Sequence, residues 1–192
     1  MQDYVDAITA EIDRATEPVV LVGHSRGGLA ISAAAEARAE KVRSLVYVAA
    51  FLVPSGETIL PLVLTDADSL ILPSLDISQE EGWDMLRRDA FRDALYADCS
   101  DDEVALAEAL LTPEPSAPTN TPMPTTPERF GRLPRGYIEF LEDRAVSLSL
   151  QRHMHAAMPC ARVERVAASH SAYFSRPDDL ARAIVSIGEG LR

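Results

Sequence analysis

Residues 18–31 read Pro-Val-Val-Leu-Val-Gly-His-Ser-Arg-Gly-Gly-Leu-Ala-Ile: an apolar β-branched run, then Gly-His-Ser-Arg-Gly, then small helix-forming residues. The run reads as a buried strand and the alanine-rich stretch 29–39 as the helix that it feeds. The chain must therefore turn sharply at Ser25. Gly23 and Gly27 are expected to keep side chains clear, so that a strained backbone can lift the Ser25 hydroxyl above the sheet. Such a strand-turn-helix setting is a nucleophile elbow, and it commits the chain to parallel β-α-β units. The five-residue pattern is weak by itself; the flanking strand and helix make it specific.

A chain of 192 residues with 47% apolar content can bury the core of one domain. Eighteen basic against thirty acidic residues leave a formal charge of -12, which repels phosphate backbones and anionic bilayers, so neither nucleic acid nor membrane is an expected partner. Cys99 and Cys160 lie far apart without a Cys-x-x-Cys or Cys/His cluster, which argues for reduced thiols and against a disulfide framework or zinc site. No stretch reaches the length of a membrane span, and the first residues read as an amphipathic helix and not a signal peptide; a cytoplasmic location is expected.

Tyr4, Val5, Ile8 and Ile12 recur at helical spacing, so residues 2–15 form a helix with one buried stripe, ended by Glu17 and Pro18. A strand over 19–23, the elbow helix to about residue 39 and a near-continuously apolar strand over 44–50 follow. From Pro54 to Pro134 the alternation breaks into short apolar patches and prolines. Two helices are announced there by capping boxes, Ser78 with Glu81 and Ser100 with Glu103. This segment reads as an inserted helical cap whose last part, 112–134, crosses the surface as extended backbone. Strands at 137–141 and 161–168 and helices at 146–158 and 180–187 restore the alternation. The fold class is α/β: residues 1–53 and 135–192 form a core around a parallel sheet with helices on both faces, and residues 54–134 form the cap.

A serine hydroxyl is a poor nucleophile unless a base lies within reach and an acid orients that base. Of the four histidines, His170 alone follows the end of an expected strand, where the carboxyl edge of the sheet would bring it over Ser25. His153 and His155, two apart on a helix, point about 200 degrees away from each other and cannot share a metal. His24 is assigned a packing and hydrogen-bonding role beneath the turn. Asp143 closes the strand that precedes His170, and Glu142 takes its place if that strand ends one residue earlier. Asp178 and Asp179, beside Pro177 at a helix start, read as helix-dipole partners. The candidate catalytic set is Ser25, Asp143 and His170, with the backbone N–H of Arg26 as an oxyanion donor and no metal or cofactor required. A second oxyanion donor is not expected from the segment before Pro18.

The stretches Val-Leu-Val-Gly-His-Ser-Arg-Gly-Gly, Tyr-Val-Ala-Ala-Phe-Leu-Val-Pro-Ser-Gly-Glu (47–57), Ala-Leu-Tyr-Ala-Asp-Cys-Ser (94–100), Tyr-Ile-Glu-Phe-Leu-Glu-Asp (137–143) and Ser-His-Ser-Ala-Tyr-Phe-Ser-Arg-Pro (169–177) together resemble the alpha/beta-hydrolase superfamily. Within it they are most similar to the plant methyl esterases and hydroxynitrile lyases and their bacterial esterase relatives. The resemblance covers nearly the whole chain. It implies a triad on the positions matching Ser25, Asp143 and His170, in the chain order Ser, Asp, His, and a small carboxylic ester as substrate. The family opens with a strand, a His-Gly oxyanion loop, a second strand and an Asp-x-x-Gly-x-Gly turn that do not precede Met1, so the chain reads as N-terminally shortened. Its elbow strand would then be an exposed sheet edge, prone to oligomerise or aggregate. The lyases carry a lysine directly after the histidine where this chain has Ser171, which disfavours cyanohydrin cleavage and leaves hydrolysis of small apolar esters as the expected activity. The rivals are a non-catalytic small-molecule binder, separated from the enzyme by turnover, and an inactive remnant, separated by whether the DNA before Met1 encodes the missing His-Gly loop in frame.

Overall fold

In the computed structural model, which describes residues 1–191, the chain runs α1 (Gln2–Arg14), β1 (Val19–His24), α2 (Gly27–Ala37), β2 (Val42–Val48), α3 (Leu60–Thr65), β3 (Leu75–Ser78), β4 (Trp83–Leu86), α4 (Phe91–Leu95), α5 (Asp101–Leu110), β5 (Glu114–Pro115), β6 (Arg135–Phe140), α6 (Leu148–Ala157), β7 (Arg162–Val166), α7 (Ala172–Ser175) and α8 (Pro177–Gly190). Four strands form one sheet in the order β1-β2-β6-β7, with every neighbouring pair parallel. A parallel sheet is stable when both faces are covered, and alternation along β2 provides for both. Leu45 and Tyr47 join Tyr137, Leu150 and Met154 in the cluster shared with α1, α2 and α6. Val46 and Val48 join Ile138, Phe140 and Ile187 on the face covered by α8. β2 and β6 are the interior strands, whereas β1 is an edge on which Val22 is 44% exposed.

Several expected boundaries shift for identifiable reasons. β6 begins at Arg135 and not at Tyr137, because this buried arginine is satisfied locally: Nη2 donates to the carbonyls of Phe130 and Gly131, and the guanidinium lies over the Phe130 ring at 4.5 Å. α8 begins at Pro177, since proline suits the first helical position, and Asp178 and Asp179 occupy its first turn. On α1 the buried stripe is Val5, Thr9 and Ile12, with Tyr4 turned outward. Asp13 near its end binds Arg38 and Lys41, whose hydrogen bonds hold its carboxyl down at about 2.

The segment between β2 and β6 departs most from expectation. Ser100 and Glu103 do form a reciprocal capping box at the head of α5. Ser78 and Glu81 do not start a helix. They turn the β3–β4 hairpin, where Ser78 Oγ accepts from the Glu81 N–H at 3.2 Å and Gly82 adopts φ +72°. The same serine-to-amide bond serves a cap or a turn, and here a positive-φ glycine and alternating partners across the hairpin select the turn. In place of the expected helical cap, that segment is mixed: short helices plus an antiparallel sheet ordered β3-β4-β5. Residues 112–134 do not merely cross the surface either. Pro118, Met123, Thr125, Phe130 and Leu133 are buried, and Met123 and Phe130 belong to the main core. No helix among the described residues is long and apolar enough to cross a membrane.

Candidate active site

Ser25 sits where β1 ends and α2 begins, with φ 52°, a left-handed conformation that a side-chain-bearing residue adopts only under constraint. The constraint is a set of backbone bonds to the end of β2. The Ser25 N–H donates to Val48 O at 3.3 Å, and the Ser25 carbonyl accepts from Phe51 N–H at 3.0 Å and Gly28 N–H at 3.1 Å. Glycine is required at two neighbouring positions, though not at both expected ones. A Cβ at Gly23 would meet Gly27 O and the Ile31 side chain at 2.9 Å, and one at Gly28 would meet Phe51 O at 2.2 Å. Gly27 faces open space, so the crowding lies one residue further into the helix, where α2 crosses the chain leaving β2.

His170 lies on the loop between β7 and α7, beyond the carboxyl end of its strand. It is buried, and Nδ1–H donates to Asp143 Oδ2 at 2.7 Å. Asp143, on the loop after β6, is also buried, and its other oxygen accepts from the N–H groups of Ala145 at 2.7 Å and Val146 at 3.0 Å. Three donors thus converge on one carboxylate, which fixes its direction and holds the imidazole with Nε2 free to accept a proton. Glu142 is exposed, so the structure brings Asp143 and not its neighbour to the histidine. Ser25, Arg26 and His170 line one cavity of about 670 Å³, whose apolar wall includes Ile59, Val63, Ile71, Leu75 and Leu86.

Further side chains steady this arrangement. His24 Nε2 donates to the His170 carbonyl at 2.8 Å, and its ring lies against those of His170, Tyr173 and Phe140. Burial, and then the neighbouring His170, push the His24 pKa down to about 3, so it is neutral at ordinary pH. Ser169 Oγ donates to Asp98, tying the histidine loop to the chain between α4 and α5. Sequence reasoning passed over Asp98 and the Arg26 side chain; the only signal was a charged residue set among the glycines of the elbow. His155 Nε2 binds Glu139 Oε1 at 2.9 Å while His153 is exposed, so the two do not converge. Among the described residues no group of three or more histidines, cysteines or carboxylates is arranged to hold a metal ion.

Comparison with known proteins gives this geometry a context. The profile described as "Alpha/beta hydrolase family" matches residues 1–183. A pyrethroid hydrolase of Sphingobium wenxiniae is 32% identical over 197 residues, covering 98% of this chain and 70% of that protein. Methylesterase 18 of Arabidopsis thaliana is 29% identical, covering 100% of this chain and 79% of its own length. The chain spans about half the length of the chloroplastic methylesterases it matches, 51% for one and 41% for another. The crystal structure of a pyrethroid hydrolase from Sphingobium faniae JZ-2 superposes with TM-score 0.83 at 27% identity, over 97% of this chain and 76% of that one. Tomato methylketone synthase I, at 21% identity, shares the fold with TM-score 0.85 over 99% of this chain and 79% of its own.

Proposed function

Because the chain belongs to the alpha/beta hydrolase family, we propose that it is a serine hydrolase of apolar carboxylic esters, working through an acyl-enzyme on Ser25, His170 and Asp143. The observation that carries the reading is the His170–Asp143 hydrogen bond of 2.7 Å in a cavity onto which a left-handed Ser25 also opens. Ser25 Oγ attacks the ester carbonyl carbon while His170 Nε2 takes its proton, and Asp143 holds the imidazolium in place. The Arg26 N–H, at the head of α2 where terminal amides lack an intrahelical partner, donates to the oxyanion. His170 then protonates the departing alkoxide. In the second half it deprotonates a water that attacks the acyl carbon, and returns that proton to Ser25 as the acid leaves.

A cavity of about 670 Å³ with an apolar wall lies in the range that holds drug-sized ligands, which fits an apolar ester, as expected from the residues, but one with a larger hydrocarbon body than the small ester expected there. The relatives named as a pyrethroid hydrolase and methylesterases support ester hydrolysis as the chemistry. Two free thiols, Cys99 and Cys160, suit a reducing compartment such as the cytoplasm. The test is hydrolysis of p-nitrophenyl butyrate together with labelling by a fluorophosphonate. Ser25→Ala is expected to lower kcat by about four orders of magnitude or more and to abolish the covalent mass increment on the Ser25 peptide. Turnover that survives Ser25→Ala, or a label on another residue, overturns the reading; ester binding without turnover favours a non-catalytic binder.

A further inference from the structure

The Arg26 side chain makes contacts that a nucleophile elbow does not need. From the residue next to Ser25 its guanidinium reaches into the insert, where Nη1 and Nη2 donate to the two carboxylate oxygens of Asp84 at 2.9 and 2.8 Å. Nη2 also donates to Glu114 at 2.5 Å, and Nη1 lies 3.5 Å from Thr119 Oγ1. Asp84 and Glu114 are register partners on β4 and β5, so one planar fork grips two adjacent strands of the cap sheet. The Arg26–Asp84 half of the grip is largely shielded from water, with the Asp84 side chain 8% exposed and that of Arg26 25%, whereas Glu114 lies nearer the surface. Burial works against the Arg26 charge, but the two carboxylates outweigh it and raise its pKa. All three residues line the cavity that contains Ser25 and His170.

We propose that Arg26 is a positioning residue, an ionic latch that fixes the cap sheet on the elbow and so sets the cavity wall against which the hydrocarbon part of an ester is held. The proposal rests on the ester-hydrolase reading. Its physical basis is that Leu75, Ile77, Met85 and Leu86, on the two strands of the hairpin, contribute to the cavity wall, and the hairpin is joined to the elbow through Asp84. A bidentate guanidinium defines the separation and angle of the two parts, which a single point charge cannot do. Removing it would also leave the Asp84 carboxylate buried without its partner, so the hairpin would move to find water. The latch anchors on the residue whose backbone N–H is the proposed oxyanion donor; replacing the side chain leaves that N–H in place.

The experiment compares p-nitrophenyl acetate with p-nitrophenyl octanoate in Arg26→Met, Arg26→Lys, Asp84→Asn and the double variant Arg26→Met/Asp84→Asn. In Arg26→Met the ratio of the octanoate KM to the acetate KM is expected to rise about tenfold or more, as for loss of a charge-assisted pair felt only by the ester long enough to reach the hairpin wall. Arg26→Lys is expected to recover part of the loss, and the double variant to resemble Arg26→Met alone, since both substitutions break one interaction. An unchanged octanoate KM, equal loss on both esters, or single effects that multiply in the double variant would each overturn the latch. If Arg26→Met does not fold, Glu114→Gln reports in its place: Glu114 is 44% exposed, so no buried charge is stranded, and octanoate KM must still rise. If the unsubstituted chain hydrolyses neither ester, the hydrolase reading fails and hydrogen exchange decides the latch separately. Amides of residues 83–86 must then exchange faster in Arg26→Met or Glu114→Gln, and unchanged protection rejects it.

Discussion

At the scale of single residues, the choice between two adjacent carboxylates shows what a side chain's surroundings decide. Asp143 accepts three hydrogen bonds in a buried site and Glu142 is exposed. Asp143→Asn is therefore expected to lower kcat by about four orders of magnitude, because the amide favours the wrong histidine tautomer, while Glu142→Gln leaves kcat within about twofold. Steady-state kinetics on p-nitrophenyl butyrate reads both. His24 makes a prediction about acid stability. Its pKa is about 3 in the folded protein against 6.5 ordinarily, so as pH falls through 6.5 the unfolded chain takes up a proton that the folded one refuses. The contribution of this group is fully present above pH 6.5 and is lost progressively down to about pH 3, at a slope of about 1.4 kcal/mol per pH unit. Urea titrations at pH 7 and pH 5 should show the loss, and His24→Gln, which keeps a donor for the His170 carbonyl, should flatten it.

At the scale of elements, the junction of β1, α2 and the chain leaving β2 carries the tightest packing near the site. Gly28 faces Phe51 O at 2.2 Å from where a Cβ would stand, while Gly27 faces nothing within 4 Å. Gly28→Ala must push α2 off the β2 exit and is expected to cost about 2 kcal/mol, with a lower denaturation midpoint; Gly27→Ala, with helical backbone and free space, is expected to be neutral or slightly stabilising. Measured unfolding midpoints that rank the two variants the other way would contradict this packing. The elbow was legible in the residues because strand, turn and helix follow one another within 14 positions whose local preferences agree. Which glycine is crowded was not legible, since the crowding atom belongs to Phe51, more than 20 positions away. The break in alternation between β2 and β6 was legible in its prolines and short apolar patches, yet the turn at Ser78 was not, because a serine three residues before a glutamate suits a helix start and a turn alike.

At the scale of the whole molecule, the sheet is covered unevenly. β2 and β6 are enclosed, but among the described residues no strand lies on the outer side of β1, which leaves Val22 exposed, with a row of backbone donors and acceptors directed outward. The chain is therefore expected to associate with itself along β1 at rising concentration, and Val22→Lys to shift it toward the 20.9 kDa monomer, as sedimentation velocity would report. A monomer at every concentration would contradict the edge argument. Short-range periodicity, turn chemistry and chain order were enough to read the parallel α/β core and the strand-turn-helix around Ser25. Only the tertiary structure decided which carboxylate meets the imidazole, where glycine is indispensable, and that the Arg26 guanidinium spans from the elbow to Asp84 and Glu114. Those outcomes join residues separated by 27, 23, 58 and 88 positions, and no local preference encodes a contact that exists only after the chain has closed upon itself.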